Sequence, residues 1–214
     1  MLTLSGCQSM TLLDPIGTVQ TSPVEVTTAD LDDQVIVFGR IRWINNGEER
    51  ANYRNNYGWN IWPLYYRVED KENGVLGVTE TGHFAWQLPV GTYILYHARW
   101  FDDIAGQRRL PLRLTFKAEK TGKAYCIGTL TIDLHSTRDA LGMIKITSWN
   151  TLIDEGCEQE RIWFTKRYTQ LKIPVENTLL LHDARIPDTI VGLENKQRFS
   201  EFIQSLYFLL LPIQ

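Results

Sequence analysis

Between Gln34 and Leu134, apolar residues recur at every second position in run after run, and turn residues separate the runs. A period of two belongs to a strand with one buried face. In the clearest run Phe84, Trp86 and Leu88 alternate with Ala85 and Gln87; Pro89-Val90-Gly91 then breaks it, and Thr92 to Tyr96 is β-branched and aromatic. Proline fixes φ and glycine accepts positive φ, so the triplet predicts a tight turn. The two flanking runs then read as a hairpin at the centre of a β-sandwich.

The neighbouring runs behave alike. Val35, Val37, Gly39, Ile41 and Trp43 share one parity, and Ile36, Phe38, Arg40 and Arg42 the other. Gly39 marks a bulge or a close neighbour. Asn45-Asn46-Gly47-Glu48 reads as a turn, and the Asn-rich stretch from Asn52 to Tyr57 as a loop. Asn60 to Val68 is a further strand, in which Pro63 argues for an edge or a bulge. Leu110, Leu112, Leu114 and Phe116 line one face of the next, Ala124 to Leu134 follows, and Met143 to Trp149 gives one more. Short strands at turn-punctuated spacing with almost no helical pattern between them predict an all-β sandwich or barrel.

The period changes after Asp154. Ile162 or Trp163, Phe164, Tyr168 and Leu171 recur at helical spacing, Asp154 and Glu155 stand at the expected start, Lys166 and Arg167 near the end, and Pro174 stops the run. That charge order suits a helix dipole. Leu193 to Leu210 fits a final amphipathic helix with Phe199, Phe202, Ile203, Leu206 and Leu210 as its stripe, expected to pack on the sandwich. The expected division is therefore a tether over 1–33, a β-sandwich over 34–150 and a helical extension over 151–214.

Net charge is −3, which gives no general basic footprint, so no nucleic-acid partner is expected. The longest apolar run, Leu206 to Leu211, falls far short of the ~20 residues that span a bilayer. Near the start, Leu4-Ser5-Gly6-Cys7 resembles the bacterial lipobox. That resemblance implies diacylation of the Cys7 thiol and a lipid anchor in a membrane. Gln8 follows; by the lipoprotein sorting rule a residue other than Asp there implies the outer membrane, with the protein facing the periplasm. Only Met1, Leu2 and Thr3 precede the box, so the basic and apolar segments of a signal peptide are expected upstream. If the tetrapeptide is a chance match, the protein is cytoplasmic.

A second resemblance rests on Thr81-Gly82-His83-Phe84 followed by Leu88-Pro89-Val90-Gly91-Thr92-Tyr93. This pattern is similar to that of carboxypeptidase regulatory-like, or transthyretin-like, β-sandwich domains. Lys123 to Thr129 and the segment after Asp154 resemble parts of uncharacterised bacterial lipoproteins that carry such domains. The resemblance covers roughly residues 34–135. It implies an immunoglobulin- or transthyretin-like sandwich with one or two C-terminal helices, acting as a non-enzymatic scaffold or interaction module with an envelope protein as partner. Fold by itself does not imply function.

Candidate chemistry is sparse. His83, His97, His135 and His182 show no His-x-x-x-His or His-Glu-x-x-His spacing, so no metal and no cofactor are expected. No Gly-x-Ser-x-Gly, Walker loop or Gly-x-Gly-x-x-Gly is present, and no catalytic residue is assigned. The acidic doublets Asp32-Asp33, Glu48-Glu49 and Asp102-Asp103 read as solvated turns. In an exported chain Cys126 and Cys157 are the candidates for a disulfide, clipping the turn before the first helix to the Tyr125–Leu134 strand; otherwise they are two small buried thiols. Trp59, Trp62 and Tyr65, with Asn52, Asn55 and Asn56 nearby, could form an exposed platform for sugar rings, making a glycan the alternative ligand. The competing reading is packing within an edge strand.

Overall fold

A computed structural model describes residues 19–21, 26, 31–51, 61–102, 106–140 and 144–186. These residues build two β-sheets packed face to face, with one short helix on the outside. The first sheet runs β1 (Val19–Thr21), β5 (Asn73–Leu76), β4 (Trp62–Arg67), β7 (Gly91–Asp102), β8 (Gly106–Ala118) and β12 (Leu181–His182). The second runs β10 (Ile144–Asp154), β9 (Ala124–Arg138), β2 (Gln34–Asn45) and β3 (Glu48–Arg50). In that sheet β6 (His83–Pro89) also pairs with β2, and β11 (Val175–Asn177) with β9. Helix α1 spans Glu158–Arg167.

The alternation read from the sequence points the expected side chains inward. Val35, Val37, Ile41 and Trp43 of β2, Phe84, Trp86 and Leu88 of β6, and Leu110, Leu112, Leu114 and Phe116 of β8 share one core. Phe84 and Trp86 lie on the same side of their strand, stacked with ring centroids 3.6 Å apart. The Trp86 indole N–H, buried with its ring, donates to the Gly77 carbonyl at 2.6 Å. A buried indole nitrogen without such an acceptor would cost the ring part of its burial energy.

The hairpin expected at Pro89-Val90-Gly91 is not one. β6 pairs antiparallel with β2, whereas β7 pairs with β4 and β8 in the opposite sheet. The triplet is a corner that carries the chain across the sandwich. Both arms bury their aromatic face in the same core, which a crossing satisfies as well as a hairpin does. β7 is central in its sheet; β6 lies at an edge.

Other local signals hold. Asn46 and Gly47 both have positive φ (53° and 80°), the requirement of the two-residue turn that joins β2 to β3. The Asn46 side chain clamps that tip to β9 through both the carbonyl and the N–H of Ser136, each at 2.9 Å. Gly39 stands where the parallel β2–β9 ladder slips its register between Phe38 and Arg40. A Cβ there would meet the Gly128 carbonyl oxygen at 2.5 Å, so close backbone approach requires glycine. Pro63 pairs with β7 but lies beyond the residues that pair with β5.

α1 starts later than the sequence suggested, because β10 continues through Asp154. Its acidic first turn is Glu158 and Glu160, and Lys166 and Arg167 close it. The helix covers Ile36 and Phe38 on the outer face of β2, and Phe164 stacks on Phe38 at 4.2 Å. This explains the outward parity of β2: apolar at 36 and 38 beneath the helix, arginine at 40 and 42 beyond it. After α1 the chain returns to both sheets. β11 joins β9, Leu180 enters the core, and β12 joins β8, so this strap closes part of one side of the sandwich. Among the described residues no helix is long and apolar enough to cross a membrane. The expected helix over 193–210 lies outside the described residues, as does Cys7.

Candidate functional site

Cys126 and Cys157 are joined in a disulfide with Cα atoms 6.2 Å apart. Both are buried among Phe38, Phe164 and Tyr168. Cys157 occupies the N-cap position of α1 and makes no side-chain capping bond, because its sulfur is committed to the bridge. A covalent link to β9 thus stands where a hydrogen-bonding cap would otherwise hold the helix start.

Beneath α1 lies a polar group that periodicity alone did not single out. Glu160 is 4% exposed; its Oε1 accepts a short hydrogen bond from the Thr129 hydroxyl, while Oε2 is buried with no hydrogen-bond partner among the described residues. Nearby, the His83 ring stacks on Trp163 at 4.8 Å, and its Nδ1 lies 3.1 Å from the Thr81 hydroxyl. Burial, helped by the positive charge of Arg40, holds His83 below the ordinary imidazole range, and Glu160 opposes that shift.

The proposed sugar platform does not assemble as read. Trp62 packs on the outer face of the first sheet beside Leu64 and Tyr66, and the Arg99 guanidinium sits 5.0 Å over its ring. Tyr65 points the other way, into the core, where its hydroxyl donates to Glu72 at 2.6 Å. Burial and the Glu72 carboxylate push its phenol far above the usual value. Side chains alternate along a strand, so Trp62 and Tyr65, three positions apart, face opposite sides and cannot offer one stacking surface. Trp59 and the Asn52–Asn56 stretch lie outside the described residues.

The concave features at the surface of the described residues include a cleft beside β2 and a groove beside β10. A cleft of about 300 Å³ has Ile41, Trp43, Ile61 and Val78 among its apolar lining and Arg40 and Glu49 at its charged rim. Glu49 is shared: Arg40 Nη2 reaches Oε1 at 2.9 Å, and Arg42 Nη2 reaches Oε2 at 2.7 Å. The hydrogen bond from Arg42 leads in holding its carboxyl below the usual range. The second feature is a groove of about 280 Å³ where the sheets part between β8 and β10, lined by Pro111, Arg113, Trp149, Thr151 and His182. Trp149 is 46% exposed and Leu152 55% exposed.

Among the described residues β10 pairs only with β9, leaving its other edge without a strand. A bulge at Thr147 guards the first part of that edge. Beyond it, Ser148 to Ile153 carries no charge and no proline. An unblocked, uncharged edge of this kind can accept an added strand. The sequence signal for it was the charge-free run itself; which strand would be an edge was not readable. No group of three or more His, Cys, Asp or Glu side chains that could hold a metal occurs among the described residues.

No family model matches the chain, and no curated protein matches it. Among solved structures, a catechol 1,2-dioxygenase from Acinetobacter sp. ADP1, inhibited by bound mercury, aligns with 83% of this chain and 63% of its own at 8% identity and a TM-score of 0.29. This chain therefore spans less than two thirds of that dioxygenase, and a likeness at that level carries no argument about family or chemistry.

Proposed function

We propose that this protein is a lipid-anchored lipoprotein of the bacterial outer membrane, facing the periplasm. In this reading a sandwich of the carboxypeptidase regulatory-like, or transthyretin-like, kind serves as a non-enzymatic scaffold for another envelope protein. The observation that carries the proposal is the Cys126–Cys157 disulfide. Such bonds form and persist in oxidising compartments and are rare in the cytosol. With three cysteines in the chain, the bridge leaves Cys7, in its lipobox-like setting, as the one thiol over.

The test is metabolic labelling with a palmitate analogue in a bacterial host that expresses the gene with its own upstream region. Label should enter the protein and be lost in Cys7→Ala, and mass spectrometry without reductant should recover a peptide pair linked through Cys126 and Cys157. A soluble, unlabelled product with both thiols free to alkylation refutes the proposal.

A further inference from the structure

We propose that β10 pairs with the β10 of a second copy of this chain, antiparallel about a two-fold axis at Thr151, joining two sandwiches through one continuous sheet. This goes beyond the proposed envelope role and does not depend on it. The argument starts from the edges. β1 and β12 are very short, β3 is charged at Glu48, Glu49 and Arg50, and β6 ends in Pro89. These are the devices by which sheets avoid edge-to-edge pairing. Past its bulge, β10 has none of them until Asp154, its last residue.

The register follows from the backbone. In the ladder with β9, Trp149 stands opposite Leu134, Thr151 opposite Ile132 and Ile153 opposite Leu130, so these three side chains lean toward the core. Lys145, Ser148, Asn150, Leu152 and Asp154 share the outer face, because the bulge reverses parity at Thr147. The Thr151 N–H donates at 2.9 Å to the Asn150 side chain, so it belongs to the free edge and not to the ladder with β9. Centring the two-fold on Thr151 lets it exchange N–H···O=C bonds with the partner's Thr151, the Asn150 side chain swinging aside. Trp149 then stands opposite the partner's Ile153, and Asn150 opposite the partner's Leu152. Each pair shares a face, as cross-strand neighbours must.

Charge selects this occupant. Lys145 lies at one end of β10, with Asp154 and Glu155 at the other, and all three are exposed. Antiparallel self-pairing brings the basic end of each strand against the acidic end of its partner, twice by symmetry. Parallel pairing would set like against like.

The experiment is sedimentation equilibrium on the full chain across a concentration series. The wild type should give a species of twice 24.8 kDa. Thr151→Pro removes an edge donor and should raise the dimer dissociation constant at least about tenfold, with circular dichroism showing the monomer still folded. Lys145→Glu should also weaken the dimer, and Lys145→Glu combined with Asp154→Lys should restore it, which no folding defect would do. A wild type that stays monomeric at every concentration overturns the inference and leaves the edge to a different partner. A dimer indifferent to Thr151→Pro and to the charge reversals overturns it as well, because its interface would lie elsewhere.

Discussion

Reducing the Cys126–Cys157 bond isolates the energetic role of the bridge without removing any packing atom. The cysteines are 31 residues apart, and the chain-entropy relation assigns a loop of that length about 3.5 kcal/mol at 25 °C. For a domain of this size each kcal/mol is worth roughly 2–4 °C in Tm, so full reduction should lower the melting temperature by about 7–14 °C. The loss should also be uneven. α1 has ten residues, too few to persist alone in water, and with the bridge open it is held by Phe164 on Phe38, by Tyr168 and by Glu160 on Thr129. Hydrogen exchange should therefore show α1 amides opening before those of β2 and β9. Scanning calorimetry with and without a phosphine reductant gives the shift, mass spectrometry confirms reduction, and a Cys126→Ala/Cys157→Ala variant should melt at or slightly below the reduced protein. A fully reduced protein that melts within about 3 °C of the oxidised one would refute the reasoning.

Other perturbations test separate parts of the argument. Gly128 has φ of 78°, and a Cβ there would meet the Asp154 carbonyl oxygen at 2.1 Å, so Gly128→Ala should cost more than about 2 kcal/mol in urea unfolding; an unchanged midpoint would show that the β9 bulge yields easily. Thr129→Val removes the hydrogen bond to Glu160 Oε1 and should cost about 1–3 kcal/mol, whereas equal stability would mean that Glu160 finds another donor. His83 is held below its unfolded value near 6.5, so the unfolded chain takes up its proton first, and the stability it contributes above pH 6.5 is lost as pH falls through that value. Melting temperatures from pH 5 to 7.5 should drop on the acid side, less steeply in His83→Asn, and parallel curves would discount the histidine. Tyr65 and Tyr93 are both raised by burial from an unfolded value of 10.0, so the unfolded chain ionises first and stability falls as pH climbs past 10. Tyr65→Phe should flatten that alkaline limb, measured by circular dichroism from pH 9 to 11.5.

The fold class was legible because the period of two survives every local irregularity. Leu110, Leu112, Leu114 and Phe116 point inward despite the bulge at Arg113, whose φ is 55°, and both parities of β2 could be listed before any partner was known. Partners were not legible. The central pair of the second sheet joins β2 to β9 in parallel across more than 80 residues of chain, and no short-range signal encodes that choice. Pro89-Val90-Gly91 shows the same limit at close range: its residues specify a sharp reversal, while the choice between pairing with β6 and crossing to the other layer belongs to whichever strands β2 and β4 recruit. The start of α1 was misplaced because Asp154 and Glu155 satisfy the rule for a helix start while their backbone is still finishing β10.

The same distinction explains what was seen and missed at the surface. Trp62 and Tyr65 drew attention as large aromatics near asparagines, but positions an odd number apart on a strand face opposite sides, and the inward one was bound to be lost to the core. Glu160 stayed hidden because the expected helix start lay at Asp154 and Glu155, and a glutamate within a helix is ordinarily solvated; only its contact with Thr129, across 31 residues, reveals that it is buried. Trp149 was read only as the end of a strand. Its exposure follows from β10 being last in its sheet, and that in turn follows from β9 already being paired on its other side with β2. An edge is a property of the assembled sheet, so a run such as Ser148 to Ile153 acquires its meaning only when every other strand has found its place.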